Sequence, residues 1–280
     1  MRIALFLSPN KFAERQLAGD LRSGIPAKFE WVDEVGPGFD FAVVVGIKRK
    51  PIIRALQARG TPFLYFDKGH NRRWNAVQPD WWRLAINDYQ PTHYLGRLNF
   101  PDDRADAQDW RVKPWRHKGS HIVFAGASAK YHAFYELDDP TAYAADVIRK
   151  LKTLTRRPIV YRSKPSWRGA EPIDGAKFIG QARHPISDDL RGAHALVTHG
   201  SNACLDALLA GVPSVVLGNG TVGTISSKSL DEIENPILAS MESCKQLLAN
   251  MAYCQWSDRE IRSGAMWKRV PALIEAAQCT

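Results

Sequence analysis

The chain reads as an α/β protein made of two doubly wound halves that face each other across a cleft. Three observations predict this. Short apolar runs alternate with amphipathic stretches along most of the length, the pattern of strands and helices taking turns. The connections are brief, as between parallel strands and their crossover helices. One segment, Pro101 to Ser120, breaks the alternation with clustered charges and two prolines, Pro101 and Pro114, and reads as an inter-domain linker. The predicted domains are 1–115 and 116–256, followed by a C-terminal helix over 257–280.

In the first half, Arg2 to Leu7 predicts a strand, Ser8-Pro9-Asn10 a turn and Phe12 to Arg22 a helix. Lys28 to Val32 and Phe39 to Val45 are β-like, the second ending at Gly46 before a helix that starts at Lys48-Arg49-Lys50 and finishes by Arg59. Pro62 to Phe66 predicts another buried strand. In the second half, His121 to Ala125 is a strand feeding Gly126-Ala-Ser128, and Thr141 to Leu154 a helix. Further strands are predicted at Pro158 to Tyr161, Ala195 to Thr198 and Ser214 to Leu217. Asp188 and Asp189 suit the start of a helix running to Ala193. The tail from Asp258 to Ala277 is helical in pattern, with Trp267 and Leu273 as its buried anchors.

Composition narrows the class. With 280 residues and 45% hydrophobic content the chain can bury a full core. No run of eighteen apolar residues occurs, so membrane insertion is not expected, and the N-terminal apolar run is too short for a signal peptide. Cys204, Cys244, Cys254 and Cys279 form neither a CxxC pair nor a zinc spacing. That pattern favours a reduced, cytoplasmic protein. A net charge of +9 favours an anionic partner: nucleic acid, an acidic polysaccharide or a membrane surface.

The most informative stretch is Val197 to Leu217. It predicts a strand end, a polar turn His199-Gly-Ser-Asn202, a short helix and a second strand. Ser201 or Asn202 is placed as N-cap, Leu205, Leu208 and Leu209 form the apolar stripe, and Asp206 lies one turn beyond Asn202. A helix start of this kind exposes N–H groups and partial positive charge, which suits a phosphate or diphosphate. An ordinary strand–helix–strand unit with an exposed polar turn fits the same residues equally well. Two other strand ends carry suitable groups: the small-residue loop Gly126-Ala127-Ser128, and Arg162 with Lys164 before the rigid Pro165. Ligands of doubly wound sheets bind beyond the carboxyl ends of the strands.

Arg162-Ser-Lys-Pro165, followed by His199-Gly-Ser-Asn-Ala-Cys-Leu-Asp-Ala-Leu-Leu-Ala-Gly-Val-Pro213, resembles the donor domain of GT-B glycosyltransferases. The nearest likeness is to the capsule-polysaccharide (Kdo-transferase-like) group. There an Arg-x-Lys-Pro strand end and a Ser/Asn-rich helix start contact the nucleotide sugar. Ile233-Glu-Asn-Pro236 and Tyr253 to Trp267 are similar to compact glycosyltransferase-like proteins of bacteriophages. The resemblance implies two Rossmann-like domains, with donor contacts from Gly126, Ser128, Arg162, Lys164, His199, Gly200, Ser201, Asn202 and Asp206. The co-substrate is a nucleotide sugar, a UDP-sugar first, and no other cofactor is implied. The sequence holds no Asp-x-Asp, so a metal-bridged diphosphate is not expected.

The first half then supplies the base for an inverting transfer and the acceptor contacts. Asp67 is the first choice of base and His70 the second, both at a strand's carboxyl end. A helix cap or loop ion pair fits Asp67 as well, and a structural role fits His199. Lys48, Arg49, Lys68, Arg72, Arg73 and Trp74 form a basic rim that suits a polyanion with stackable groups, with Trp81 and Trp82 either joining it or lying in the core. The expected partner is modified DNA, the sugar passing to an extruded 5-hydroxymethylpyrimidine. Transfer to an anionic capsule or surface glycan is the rival enzyme reading. A nucleic-acid-binding protein on an inactive scaffold is the third.

Overall fold

The computed structural model describes residues 1–70, 81–165 and 167–278. The chain forms two compact units, Met1–Phe100 with Asn250–Thr280, and Pro101–Ala249.

In the first unit β1 (Arg2–Phe6), α1 (Phe12–Gly24), β2 (Lys28–Trp31), β3 (Phe41–Val45), α2 (Lys50–Ala58) and β4 (Phe63–Lys68) follow the sequence expectation closely. They are succeeded by β5 (Trp81–Ile86) and a single-turn α3 (Thr92–Leu95). β1 pairs in parallel with β2 and β3, and β3 in parallel with β4. β1 and β4 are covered on both faces, which is why Ile3 to Phe6 and Phe63 to Phe66 can be continuously apolar, each at most 2% exposed, whereas the edge strand β2 is half open. β5 turns antiparallel on β4.

β5 is a strand the sequence pattern does not announce. A charged residue, Arg83, sits in its middle, which interrupts the apolar run of a buried strand. Trp82 is in fact 3% exposed, packs edge-on against Phe66 at 6.4 Å, and donates its Nε1–H to Asp258 at 2.9 Å. Trp81 is half-buried, and its carbonyl accepts the Gly69 N–H. Both tryptophans belong to the sheet.

The chain's end returns to this unit. β11 (Gln255–Ser257) pairs antiparallel with β5, completing the order β11-β5-β4-β3-β1-β2. Ser257 and Glu260 then form a reciprocal capping box that starts α10 (Asp258–Arg262). The tail is not one helix: residues 263–269 are turns, and α11 (Val270–Gln278) begins afresh. Leu273 is fully buried, whereas Trp267 is only half-buried and lies against Gly24. Residues 250–256 thus join the N-terminal unit, because an edge strand and Trp256, 2% exposed, complete its sheet and core. Deleting residues 250–280 should therefore cost the first unit its cooperative unfolding transition, while the second keeps its own. Calorimetry of the truncated chain checks this.

In the second unit β6 (His121–Ala125), β7 (Ile159–Arg162), β8 (Lys177–Ile179), β9 (Ala193–Thr198) and β10 (Ser214–Val216) form an all-parallel sheet ordered β10-β9-β6-β7-β8. α4 (Asp103–Ala107) precedes it; α5 (Ala129–Tyr135) and α6 (Pro140–Leu154) connect β6 to β7. α7 (Ile186–Asp189), α8 (Ala203–Leu209) and α9 (Met241–Ala252) follow. The core combines Ile122, Phe124, Ile148, Leu151, Ile159, Tyr161, Ala195 and Val197. The segment read as a linker packs on this unit: Trp115 Nε1 donates to the Ala239 carbonyl at 2.7 Å, and Arg116 N donates to the Gly211 carbonyl at 2.7 Å. No helix among the described residues is long and apolar enough to cross a membrane.

Two local expectations are corrected. Asp189 closes α7 instead of opening a helix, and Ala193 starts β9. The side chain of Asp189 serves Arg162, as described next. β8 and α9 have weak or interrupted apolar patterns, β8 being only three residues with an exposed first position.

Candidate functional site

Strand order decides where each sheet offers a ligand site. In the second unit the order runs β8-β7-β6 on one side and β9-β10 on the other. The strand order reverses between β6 and β9, the position beyond whose carboxyl ends doubly wound sheets bind their ligands. The loops there are Gly126-Ala127-Ser128 and His199-Gly200-Ser201-Asn202. Sequence reasoning picked both, and the topology brings them to neighbouring strand ends.

Their geometry is tightly specified. Thr198 Oγ1 donates to the Ala125 carbonyl at 3.0 Å and accepts the Ser201 N–H at 3.1 Å, tying the two strand ends together. Ser201 Oγ accepts the Ala203 N–H at 3.3 Å, while Asn202 holds the N-cap position without a capping side-chain bond. Ser128 is N-cap of α5 and likewise makes no side-chain cap, and α5 has no acidic residue in its first turn. Gly126 N donates to the Arg162 carbonyl at 2.9 Å, linking β6 to the third strand end. Asp206 lies on the exposed side of α8, and Leu205 and Leu208 are buried, as the stripe requires.

His199 is half-buried in the loop after β9. Its Nδ1 lies 2.8 Å from the Tyr143 hydroxyl. Tyr131, Tyr135 and Tyr143 surround the ring at centroid distances of 5.9, 6.2 and 5.5 Å. Burial, and then the neighbouring His132, lower the His199 pKa, so the imidazole is neutral at pH 7. Close approach explains two glycines here. A Cβ at Gly218 would strike the His199 ring, and one at Gly200 would strike the Tyr131 hydroxyl and the Asn219 carbonyl. Tyr131, Tyr135 and Tyr143 were not singled out from sequence; aromatic residues at helical spacing read as core.

The two cations of Arg162-Ser-Lys164 separate in role. Arg162 is 4% exposed; its guanidinium pairs with Asp189, and its Nη2 donates to the His184 carbonyl at 2.7 Å. Asp189 also meets His184 Nε2 at 2.9 Å. Arg162 therefore braces the strand end, whereas Lys164 is exposed.

The first unit has its own reversal point, between β1 and β3, at the loops 7–11 and 46–49. Its anion position is filled from within. Glu14, in the first turn of α1 and 4% exposed, accepts the Ser8 N–H at 2.6 Å and Lys11 Nζ at 2.5 Å, with Arg49 Nη2 at 4.0 Å. A carboxylate already satisfies this helix start and its cations. In the second unit α8 likewise has Asp206 in its first turn, whereas α5 has no acidic residue there.

Asp67 and His70 stand at the carboxyl end of β4, beside the loop that carries Lys48 and Arg49 after β3. Asp67 lies directly across from Arg83 in the β4–β5 register. The Arg83 guanidinium, 2% exposed, lies 3.5 Å from Asp67 Oδ2 and also donates to Gln90 Oε1 at 2.7 Å and the Tyr89 carbonyl at 3.1 Å. Tyr65 Oη is 3.4 Å from Asp67 Oδ2, and the Lys68 N–H reaches Oδ1 at 2.7 Å. Burial first, then Asp67, pushes the Tyr65 pKa well above the ordinary phenol value, so it stays a donor. An ion pair of Asp67 with Lys68 or Arg72 was expected; the one described is with Arg83, and Arg72 lies outside the described residues. His70 donates its backbone N–H to Gln255 Oε1 at 2.8 Å, and Lys48 and Lys68 are exposed. Arg72, Arg73 and Trp74 lie outside the described residues.

The chain is similar to the beta Kdo 2,7 transferase of Thermosulfurimonas dismutans KpsC. The identity is 13% over 96% of this chain and 99% of that one, with a TM-score of 0.59. It is also similar to the beta Kdo 2,4 transferase of the same KpsC, at 11% identity over 89% of each chain with a TM-score of 0.58. No family model matches the chain, and no curated protein sequence matches it. At such identities the likeness is one of fold: this chain has the GT-B-like architecture of those transferases.

Proposed function

We propose that the chain is a glycosyltransferase that takes its sugar from a nucleotide sugar. The observation that carries this is the reversal of strand order between β6 and β9. The starts of α5 and α8 and the His199-to-Asn202 turn lie at these neighbouring strand ends, with Lys164 after the adjoining β7, on a fold shared with sugar transferases. Gly126, Ser128, Lys164, His199, Gly200, Ser201 and Asn202 would hold the nucleoside diphosphate, a UDP-sugar first. Asp206 borders the same helix, and Arg162 supports the strand end. In the reaction an acceptor hydroxyl attacks the anomeric carbon, and the bond to the leaving diphosphate breaks with its electron pair going to phosphate oxygen. The helix starts and Lys164 stabilise that charge. Asp67 takes the hydroxyl proton, with His70 second.

For the acceptor, the net charge of +9 and the exposed Lys48 and Lys68, with Arg49, favour a polyanion. The proposed acceptor is a 5-hydroxymethylpyrimidine of modified DNA. Placement of Trp81 and Trp82 in the sheet removes two residues from the stacking rim. Together with the Kdo-transferase likeness, this favours an anionic surface glycan as the second reading. The test is incubation with UDP-, GDP- and CMP-sugars and DNA containing 5-hydroxymethylcytosine or 5-hydroxymethyluracil, followed by nucleoside mass spectrometry. A hexose- or pentose-sized mass gain on one base is the expected result. Donor binding without that gain would transfer the proposal to the glycan; no donor binding would leave an inactive scaffold.

A further inference from the structure

We propose that Tyr143 is a positioning residue that fixes the tautomer of His199, so that Nε2 carries the proton and donates it to an anionic oxygen of a nucleotide bound beyond the β6 and β9 strand ends. The inference rests on the donor reading above and deepens it. No sequence motif marks Tyr143, which lies 56 positions before His199 on a different element.

The wiring follows from hydrogen-bond accounting. Tyr143 Oη and His199 Nδ1 are 2.8 Å apart, and one of them must donate. The phenol keeps its proton, because burial pushes its pKa up to about 12. That O–H has no other acceptor among the described residues, so it donates to Nδ1. A neutral imidazole carries one N–H, and with Nδ1 accepting, the hydrogen sits on Nε2. Nε2 has no hydrogen-bond partner among the described residues and is not sealed from solvent. It lies over Gly218, in the space a side chain would fill.

The surroundings keep the ring neutral and in place. From α5, Tyr131, His132 and Tyr135 face it; from α6, Tyr143; from the loop after β10, Gly218. None of these is a carboxylate, so nothing here stabilises an imidazolium. His132 is itself anchored, its Nδ1 meeting the Asp138 carbonyl at 2.7 Å, and its own pKa is lowered by burial. Asn219 Nδ2 donates to the Tyr135 hydroxyl at 3.3 Å, holding the loop that carries Gly218. A neutral, fixed N–H donor recognises a phosphate oxygen without adding a charge that would also hold the product.

The test is nitrogen NMR of the full chain with ¹⁵N-labelled histidine rings, His199 being assigned by its loss in His199→Gln. In the unaltered protein at pH 7, His199 should show only the Nε2–H tautomer and titrate below the ordinary histidine value. Tyr143→Phe removes the donor to Nδ1 and hence the stabilisation of the neutral form. Its His199 should become a mixture of tautomers and titrate higher. Affinity for UDP, GDP or CMP, whichever binds the unaltered protein, should fall about fivefold, as for loss of one oriented hydrogen bond. An Nδ1–H tautomer in the unaltered protein overturns the proposal without recourse to any variant. So does a Tyr143→Phe spectrum unchanged in tautomer and titration. Correct wiring with none of the three nucleotides bound would overturn the donor reading instead, and the donation step with it.

Discussion

Asp67→Asn should both weaken the first unit and abolish sugar transfer, while leaving nucleotide binding nearly unchanged. The stability loss comes from Arg83. Its guanidinium is 2% exposed and has Asp67, 31% exposed, as the carboxylate across the strand pair. Breaking a buried pair by removing one charge costs about 3–5 kcal/mol, because the remaining charge is left uncompensated. The partial exposure of Asp67 moves the expectation to about 3 kcal/mol or slightly less. Gln90 and the Tyr89 carbonyl still accept from Arg83, which keeps the variant folded at low temperature. Arg83→Met in the same chain should remove most of the penalty, since the charge that needs a partner is gone. Denaturant unfolding of the four proteins in this cycle gives the coupling.

The catalytic half of that expectation has its own arithmetic. A carboxylate offers about four acceptor positions. In Asp67 the Lys68 N–H, the Tyr65 hydroxyl and Arg83 account for three. One position remains for a proton from an acceptor hydroxyl. Asparagine keeps the shape but cannot take that proton, so transfer should fall by at least about a hundredfold. Full activity with unchanged stability would remove Asp67 both as base and as counter-ion. Full activity with lost stability would leave it structural and return the base assignment to His70.

How far the sequence carried these conclusions depends on what each element needs from its neighbours. Elements with their own period were readable: β1, β3, β4 and β6 as apolar runs, α8 by its leucines, and the helix start at Asp258, whose Ser257 and Glu260 spacing is a local capping signal. The positions of the two loops after β6 and β9 were also readable, because each follows a buried apolar run and precedes a helix. β5 and β11 were not. They pair with each other across some 170 positions, with Gln255 opposite Arg83, and neither has a pattern apart from that partner. Arg83 itself masks β5, since a buried charge is intelligible only once Asp67 faces it. The same holds for Tyr143 and His199, and for Arg162 and Asp189. Each looks like an isolated polar residue until the fold supplies its mate.

Arg162 and Lys164, two positions apart, should respond to alanine differently, only the first losing stability. Arg162 is buried, paired with Asp189, and bonded to the His184 carbonyl. Arg162→Ala leaves the Asp189 carboxylate, itself 10% exposed, with only His184 beside it, and should destabilise the second unit by about 3 kcal/mol. Because the Arg162 carbonyl receives the Gly126 N–H, the disturbed strand end adjoins the β6 loop, and nucleotide affinity should fall along with stability. Asp189→Asn added to Arg162→Ala should restore much of the stability by removing the stranded charge. Lys164 is exposed, so its alanine variant should stay within about 0.5 kcal/mol of the parent. Its loss should appear instead as about tenfold weaker nucleotide binding, the effect of deleting one charge-assisted contact to phosphate. Calorimetric titration and denaturant unfolding of the same preparations separate the two. Unchanged binding in Lys164→Ala would remove the cation from the diphosphate site. An Arg162→Ala protein of parental stability but weakened binding would instead mean that Arg162 leaves Asp189 to meet the nucleotide.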